Sequence, residues 1–270
     1  MTRVERALLI VIDGLRPDAL LQGHTPRMDA LIASGACSLQ AQTVMPSVTL
    51  PTHMTLFHSV PTEKHGVITN TYQPFAEPLP GLMQVARQNG LLTAAVYSWE
   101  PLRDLWRPGQ VDLAYFINLY SSPMRDFDLE VARVSADLIS TEHPQFTFIY
   151  LGMVDEIGHR TGWLSPDYMQ SVERADAAVG LLLDRLQAEG LLESTLILIQ
   201  ADHGGHEHRH GEAIPADMTI PWILSGPGVR RGCQIVEPVS ILDSAPTLAH
   251  LLGLPIPAEW QGQVVREALL

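Results

Sequence analysis

Three runs along the chain are apolar almost throughout: residues 6–12 (Arg-Ala-Leu-Leu-Ile-Val-Ile), 146–152 (Phe-Thr-Phe-Ile-Tyr-Leu-Gly) and 195–200 (Thr-Leu-Ile-Leu-Ile-Gln). Runs this short and this continuous predict strands buried on both faces, as in a parallel sheet. Thr93–Tyr97 reads as a further strand. Thr219–Ser225 reads as an edge strand, where Pro221 is tolerated. Between the strands the apolar spacing becomes helical. Pro26 to Gly35 has Thr25 as N-cap, Pro26 at the first helical position and Gly35 as the stop. Helical spacing also covers the residues after Pro51, Pro80 to Asn89 (closed by Gly90), Asp128 to His143 (stopped by Pro144) and Ile241 to Leu252. The longest helix is predicted over 166–189, with Met169, Val172, Ala175, Val179, Leu182, Leu183 and Leu186 forming one face. This alternation predicts an α/β fold, a three-layer sandwich with a mostly parallel central sheet and helices on both faces. No repeat or flexible linker interrupts it, so residues 1–270 are expected to form one domain. Residues 70–125, which carry Trp99, Trp106, Tyr115, Phe116 and Tyr120 without clear periodicity, are the place for a small cap or insertion.

Each long apolar run delivers polar chemistry at its C-terminal end, where open α/β sheets place their ligands. The first ends in Asp13-Gly14. The second leads into Asp155 and His159, four residues apart and so on one face if the backbone turns helically. The third ends in Ala201-Asp202-His203-Gly204-Gly205, followed by His206, His208 and His210. Taken singly, each has a bland reading: a turn, a surface pair, a solvated loop. Together, three carboxylates at one sheet edge would repel one another by about 4 kcal/mol per pair at about 4 Å and an effective dielectric of 20. Divalent cations remove that cost. Mixed Asp and His donors without cysteine suit zinc, with manganese or another first-row ion as the alternative. Six ligands would furnish two sites of three, the layout of two-metal hydrolysis. Thr49 lies between Pro46 and Pro51, which exclude a regular helix or central strand before Pro51, so its hydroxyl would stand just before a helix N-terminus. Anions are attracted there. The hydroxyl would serve either as a capping group or as a nucleophile beside a metal.

Composition narrows the partners. A formal net charge of −13 leaves no basic surplus to neutralise a nucleic-acid polymer, so none is expected. The apolar run before Asp13 is too short for a signal segment, and no stretch has the length of a membrane span; a cytoplasmic protein without membrane contact is the expectation. Cys37 and Cys233 sit in no metal-like or redox spacing and read as core thiols. The oligomeric state is not legible.

The ordered set Asp13-Gly14, Thr49-Leu-Pro-Thr-His53, His65-Gly66, Asn70, Asp155-x-x-Gly-His159, Asp202-His203-Gly204-Gly205, His210-Gly211, Ile220-Pro-Trp and Asp243-x-x-Pro-Thr247 resembles the alkaline phosphatase superfamily. Within it, the closest likeness is to the type I nucleotide pyrophosphatase/phosphodiesterase branch. The resemblance implies one metal on Asp155, His159 and His210, and another on Asp13, Asp202 and His203. It implies Thr49 as the nucleophile, bridging to the second metal and carrying a covalent phosphoryl group. It further implies that the Asn70 amide, helped by the backbone N–H of residue 50, donates to a phosphate oxygen. His206 and His208 are the replacement ligands for His210; Glu156, His53 and His65 read as supporting or turn residues. The implied activity is hydrolysis of a small-molecule phosphoric ester with two divalent metals, zinc foremost. A phosphomonoesterase or phosphonate hydrolase is the alternative, and a mutase or a non-catalytic metal-binding protein a remote one. Leu50 replaces the aromatic that stacks a nucleotide base in some members. The Cys/Ser-x-Pro-x-Arg pattern of sulfatases is missing.

Overall fold

The structure, a computed structural model, describes residues 4–75, 77–118 and 126–270; Tyr120 lies outside them. Its centre is one eight-stranded sheet. In chain order the strands are β1 (Arg6–Ile12), β2 (Ala36–Gln42), β3 (Thr93–Tyr97), β4 (Leu113–Phe116), β5 (Phe146–Leu151), β6 (Thr195–Gln200), β7 (Thr219–Ser225) and β8 (Cys233–Gln234). They lie in the order β4-β3-β5-β1-β6-β7-β2-β8. The three long apolar runs are neighbours at its centre, β1 pairing in parallel with both β5 and β6. Every residue of β1, β5 and β6 is buried, which is why no polar alternation appears in their sequences.

The helices are α1 (Pro17–Gln22), α2 (Pro26–Ser34), α3 (Thr49–His58), α4 (Thr62–His65), α5 (Leu82–Gln88), α6 (Phe127–Glu142), α7 (Met153–Thr161), α8 (Pro166–Ala188), α9 (Pro215–Met218) and α10 (Ser244–Leu251). They form two groups. α2, α6 and α7 pack on α8, whereas α3, α5 and α10 pack on one another. The edge-side strand β3 meets α5 from one group and α6 from the other, so the sheet is the middle of three layers.

Two sequence expectations need correction. β7 is an interior strand, antiparallel to both β2 and β6. It accommodates Pro221 because its pairing with β6 covers only Trp222–Ser225, and because the β2 ladder skips between Ser38 and Ala41 opposite the proline. No ladder bond is lost at either neighbour. The helix after the Thr49 segment begins at Thr49 itself, two residues earlier than the prolines suggested, with Val48 as its N-cap. Pro51 then falls in the first turn, where backbone N–H groups have no intrahelical acceptor and a missing donor costs nothing.

Register brings the strand ends level. Ile12 pairs with Leu151 and Val11 with Gln200. The Asp13 N–H then donates to the Leu151 carbonyl at 2.9 Å, holding the exit of β1 against the exit of β5. Gly14 follows with φ +70°, in the region that favours glycine. A Cβ there would also stand 3.0 Å from Asp155 Cα, so glycine is required twice over. Its N–H donates to Asp202 Oδ1 at 3.2 Å, and its carbonyl accepts from Trp163 Nε1 at 3.0 Å and Tyr168 Oη at 2.9 Å. This one turn therefore ties together the three strand ends and α8.

Candidate active site

The turn after β1 supplies Asp13, α7 supplies Asp155 and His159, the loop after β6 supplies Asp202, His203 and His210, and the start of α3 supplies Thr49. Two groups of donor atoms converge closely enough to hold a cation, Asp13–Asp202–His203 and Asp155–His203–His210. The first is the predicted set. In the second, His203 stands where His159 was expected. His159 is nonetheless at hand, its Nε2 lying 3.4 Å from Asp155 Oδ2 while His210 Nε2 lies 3.7 Å from Asp155 Oδ1. His203 and His210 stack at 3.7 Å between ring centres, which places the two groups side by side.

Hydrogen bonds decide which nitrogen each histidine presents. His203 Nδ1 lies 2.8 Å from the Gly204 carbonyl, His210 Nδ1 2.8 Å from the Ser47 carbonyl, and His159 Nδ1 2.8 Å from the His208 carbonyl. A carbonyl only accepts, so the proton sits on Nδ1 in all three, and the bare Nε2 lone pair points inward. It points at carboxylates. His203 Nε2 is 3.3 Å from both Asp13 Oδ1 and Asp202 Oδ2. Lone pairs facing carboxylate oxygens need a positive charge between them. Consistent with that need, Asp13 Oδ1 and Asp155 Oδ1 are buried and accept no hydrogen bond. A histidine held by a backbone carbonyl through one nitrogen while offering the other is the usual arrangement of a metal ligand. The donor set therefore fits a divalent cation.

Electrostatics agree. Burial first, then the neighbouring carboxylates, pushes Asp13 and Asp155 well above the usual carboxylate range, and burial raises Asp202 to about 7. Burial lowers His203, and burial with the neighbouring His203 lowers His210 to about 3. The protein alone thus disfavours charge on acids and bases alike.

Thr49 Oγ1 sits 3.2 Å from His203 Nε2, at the edge of this cluster. Asn70 comes from the loop after α4. Its Oδ1 accepts the Leu50 N–H at 3.0 Å, leaving the amide Nδ2 as the free donor beside Thr49. The backbone N–H of residue 50, expected to reach a phosphate directly, here orients Asn70 instead. Leu50 itself is 0% exposed and offers no stacking surface. His206 is engaged by the buried Asp217 at 2.7 Å, and His208 Nδ1 lies 3.1 Å from the His159 carbonyl. Neither enters the cluster. His65 bridges Thr55 Oγ1 and the Val67 N–H, a structural role, and His53 lies 2.7 Å from the Thr49 carbonyl and 3.6 Å from Asp202 Oδ2.

Four supporting residues escaped the sequence reading. Tyr150 Oη donates to Asp13 Oδ2. Trp163 lies edge-on to His159 and leaves no room for side chains at Gly158 and Gly205. Asp217 anchors the histidine-rich loop through His206 and the Glu212 N–H. Asp128, buried on α6, accepts the Gly152 and Met153 N–H groups at 3.1 and 3.3 Å, so it caps the helix that carries Asp155 and His159. An acid inside the apolar stripe of α6 was the signal available. Asp128→Ala should strand two buried donors and cost about 1–3 kcal/mol in denaturant unfolding, whereas Asp128→Asn, which keeps an acceptor, should cost less.

A mostly parallel three-layer sandwich with paired Asp/His clusters at its central strand ends is the architecture of the alkaline phosphatase superfamily. Residues 7–89 and 80–219 match the type I phosphodiesterase/nucleotide pyrophosphatase family, and the chain belongs to it. The family is metal-dependent, in keeping with the clusters. A GPI ethanolamine phosphate transferase 2 of Aspergillus fumigatus is 27% identical over 98% of this chain and 37% of its own length. The ectonucleotide pyrophosphatase/phosphodiesterase family member 3 of Rattus norvegicus is 27% identical over 73% of this chain and 24% of its own. The chain thus spans well under half the length of these curated relatives. Among solved structures, murine ectonucleotide pyrophosphatase/phosphodiesterase 5 in complex with AMP superposes with a TM-score of 0.81 at 17% identity, covering 98% of this chain and 100% of that one. None of the described helices is long and apolar enough to cross a membrane.

Proposed function

We propose that residues 1–270 act as one catalytic domain, a metal-dependent hydrolase of phosphoric esters that favours diesters and works through a covalent phosphothreonine at Thr49. The observation that carries this reading is the inward Nε2 lone pairs of His159, His203 and His210 facing three carboxylates beside the Thr49 hydroxyl. Asp13, Asp202 and His203 would hold one divalent cation and Asp155, His159 and His210 the other, zinc being the choice for this donor set. Such cations supply Lewis-acid stabilisation of the charge that develops on the entering and leaving oxygens. Thr49 Oγ1 attacks phosphorus and gives its proton to solvent. The P–O bond to the departing alcohol breaks with its electron pair going to that oxygen, which then takes up a proton. Water next attacks the phosphothreonine, releasing a monoester and restoring the hydroxyl. Asn70 Nδ2 is placed to donate to a non-bridging oxygen throughout, and the Leu50 N–H keeps it there.

The preference for diesters is supported by the cavity at the site. The described residues lining it include Asp, Glu, His and uncharged groups but no Arg or Lys. A monoester would bring one more negative charge with nothing basic to meet it. On zinc-loaded protein, kcat/KM for bis-p-nitrophenyl phosphate should exceed that for p-nitrophenyl phosphate. A ratio below one would overturn the diester reading.

A further inference from the structure

The cavity has a volume of about 270 Å³. Six of its lining residues already have roles in the proposed chemistry: Asp13, Thr49, Asn70, Asp155, His159 and His210. What remains is Ser98, Trp99, Tyr150, Gly152, Met153 and Glu156. This second set forms the wall that an ester arm of the substrate would meet. It contains two aromatic rings, a thioether and one charged group, the carboxylate of Glu156. Its nearest ion-pair contact is loose: Arg160 Nε lies 3.9 Å away, and both side chains are about half exposed. Glu156 therefore presents an acid, across an aromatic surface, to whatever occupies the wall.

We propose that this wall selects phosphodiesters whose retained arm is a small alcohol bearing an ammonium group, with Glu156 and Trp99 as the specificity-determining residues. The inference rests on the phosphodiesterase reading above and deepens it. The chemistry excludes the alternatives in turn. An anionic arm would face Glu156 and the substrate's own phosphate with no basic residue among the described lining groups. A nucleoside arm needs a stacking partner after the nucleophile, and Leu50 is sealed in the core. It also needs room, and this cavity is smaller than the roughly 300–1,000 Å³ of pockets that enclose drug-sized ligands. A small neutral arm would fit but would leave the Glu156 carboxylate beside a phosphate with no counter-charge. An ammonium answers both features: it neutralises Glu156 and lies favourably against the faces of Trp99 and Tyr150. Placing the cation on the retained arm, rather than on the departing alcohol, keeps it against the wall through both halves of the reaction.

A matched pair of substrates tests this. p-Nitrophenyl phosphorylcholine carries a trimethylammonium group, and p-nitrophenyl 3,3-dimethylbutyl phosphate is its uncharged carbon isostere. On the zinc-loaded full chain, kcat/KM should favour the cationic substrate by about tenfold, the size of a desolvated cation–aromatic and carboxylate contact. Glu156→Gln and, separately, Trp99→Ala should each reduce that ratio, chiefly through KM. Trp99→Phe should restore part of it. Calorimetric titration of phosphocholine and of 3,3-dimethylbutyl phosphate into the Thr49→Ala protein should show the same preference without turnover. Equal kcat/KM for the two substrates, or a ratio that Glu156→Gln leaves unmoved, would overturn the assignment while leaving the phosphodiesterase reading intact. Hydrolysis of neither, with metal bound, would overturn both.

Discussion

Thr49→Ala is expected to lower kcat for any phosphodiester by about four orders of magnitude or more, as removal of an attacking atom does when no neighbouring group can replace it. Serine, which keeps the oxygen, should retain measurable turnover. The local structure makes the experiment clean. Thr49 is the first residue of α3, and the first-turn hydrogen bonds run through the backbone and through Thr52 Oγ1, not through the Thr49 side chain. Its Oγ1 contacts His203 Nε2 alone among the printed partners, so alanine removes an atom from the site without unseating α3. The variant should therefore bind metal and melt near the wild-type temperature. After brief exposure to substrate and acid quench, mass spectrometry of the wild type should find the added phosphoryl group on the peptide containing Thr49, and that of the alanine variant should not. Retained turnover with unchanged kinetics would remove Thr49 from the mechanism.

How much of this was legible before the structure differs from element to element, and for physical reasons. β1, β5 and β6 could be read because central strands of a parallel sheet are apolar on both faces. β2, with the sequence Ala-Cys-Ser-Leu-Gln-Ala-Gln, and the two-residue β8 carry no such run, since they lie at one margin of the sheet. β7 was read as an edge because a proline usually marks one; the bulge opposite Pro221 is a tertiary fact that no local pattern encodes. In the site, the three Asp residues were visible because each follows a buried strand directly. Grouping them with particular histidines rested on resemblance, and the structure draws His203 into both clusters. Asp128, Tyr150 and Trp163 were not visible. Their partners are backbone groups or acids far away in sequence, and an isolated Asp, Tyr or Trp carries no mark of what it will meet.

Removing metal should be the second large effect, and it should be felt in stability as well as in activity. Without a cation, Asp13 Oδ1 and Asp155 Oδ1 are buried acceptors that nothing satisfies, and three histidine lone pairs face carboxylates. A ligand that binds only the folded state stabilises it by about 2.7 kcal/mol at a free concentration a hundred times its dissociation constant. Two ions at such sites would contribute about twice that. Dialysis against a chelator should therefore abolish turnover and lower the melting temperature by several degrees, and zinc should restore both. Stoichiometry separates the two clusters. Metal analysis should find two ions in the wild type, and Asp202→Ala should lose one, because that residue belongs to a single cluster. His203→Ala discriminates further. If each cluster keeps its own three ligands, with His159 completing the second, His203→Ala should also lose one ion. If His203 serves both clusters, as the bare donor geometry groups them, the variant should bind neither tightly. A chelator-treated protein with undiminished activity and an unchanged melting temperature would leave the lone pairs of His159, His203 and His210 without an explanation, and the metal-dependent reading would fall with them.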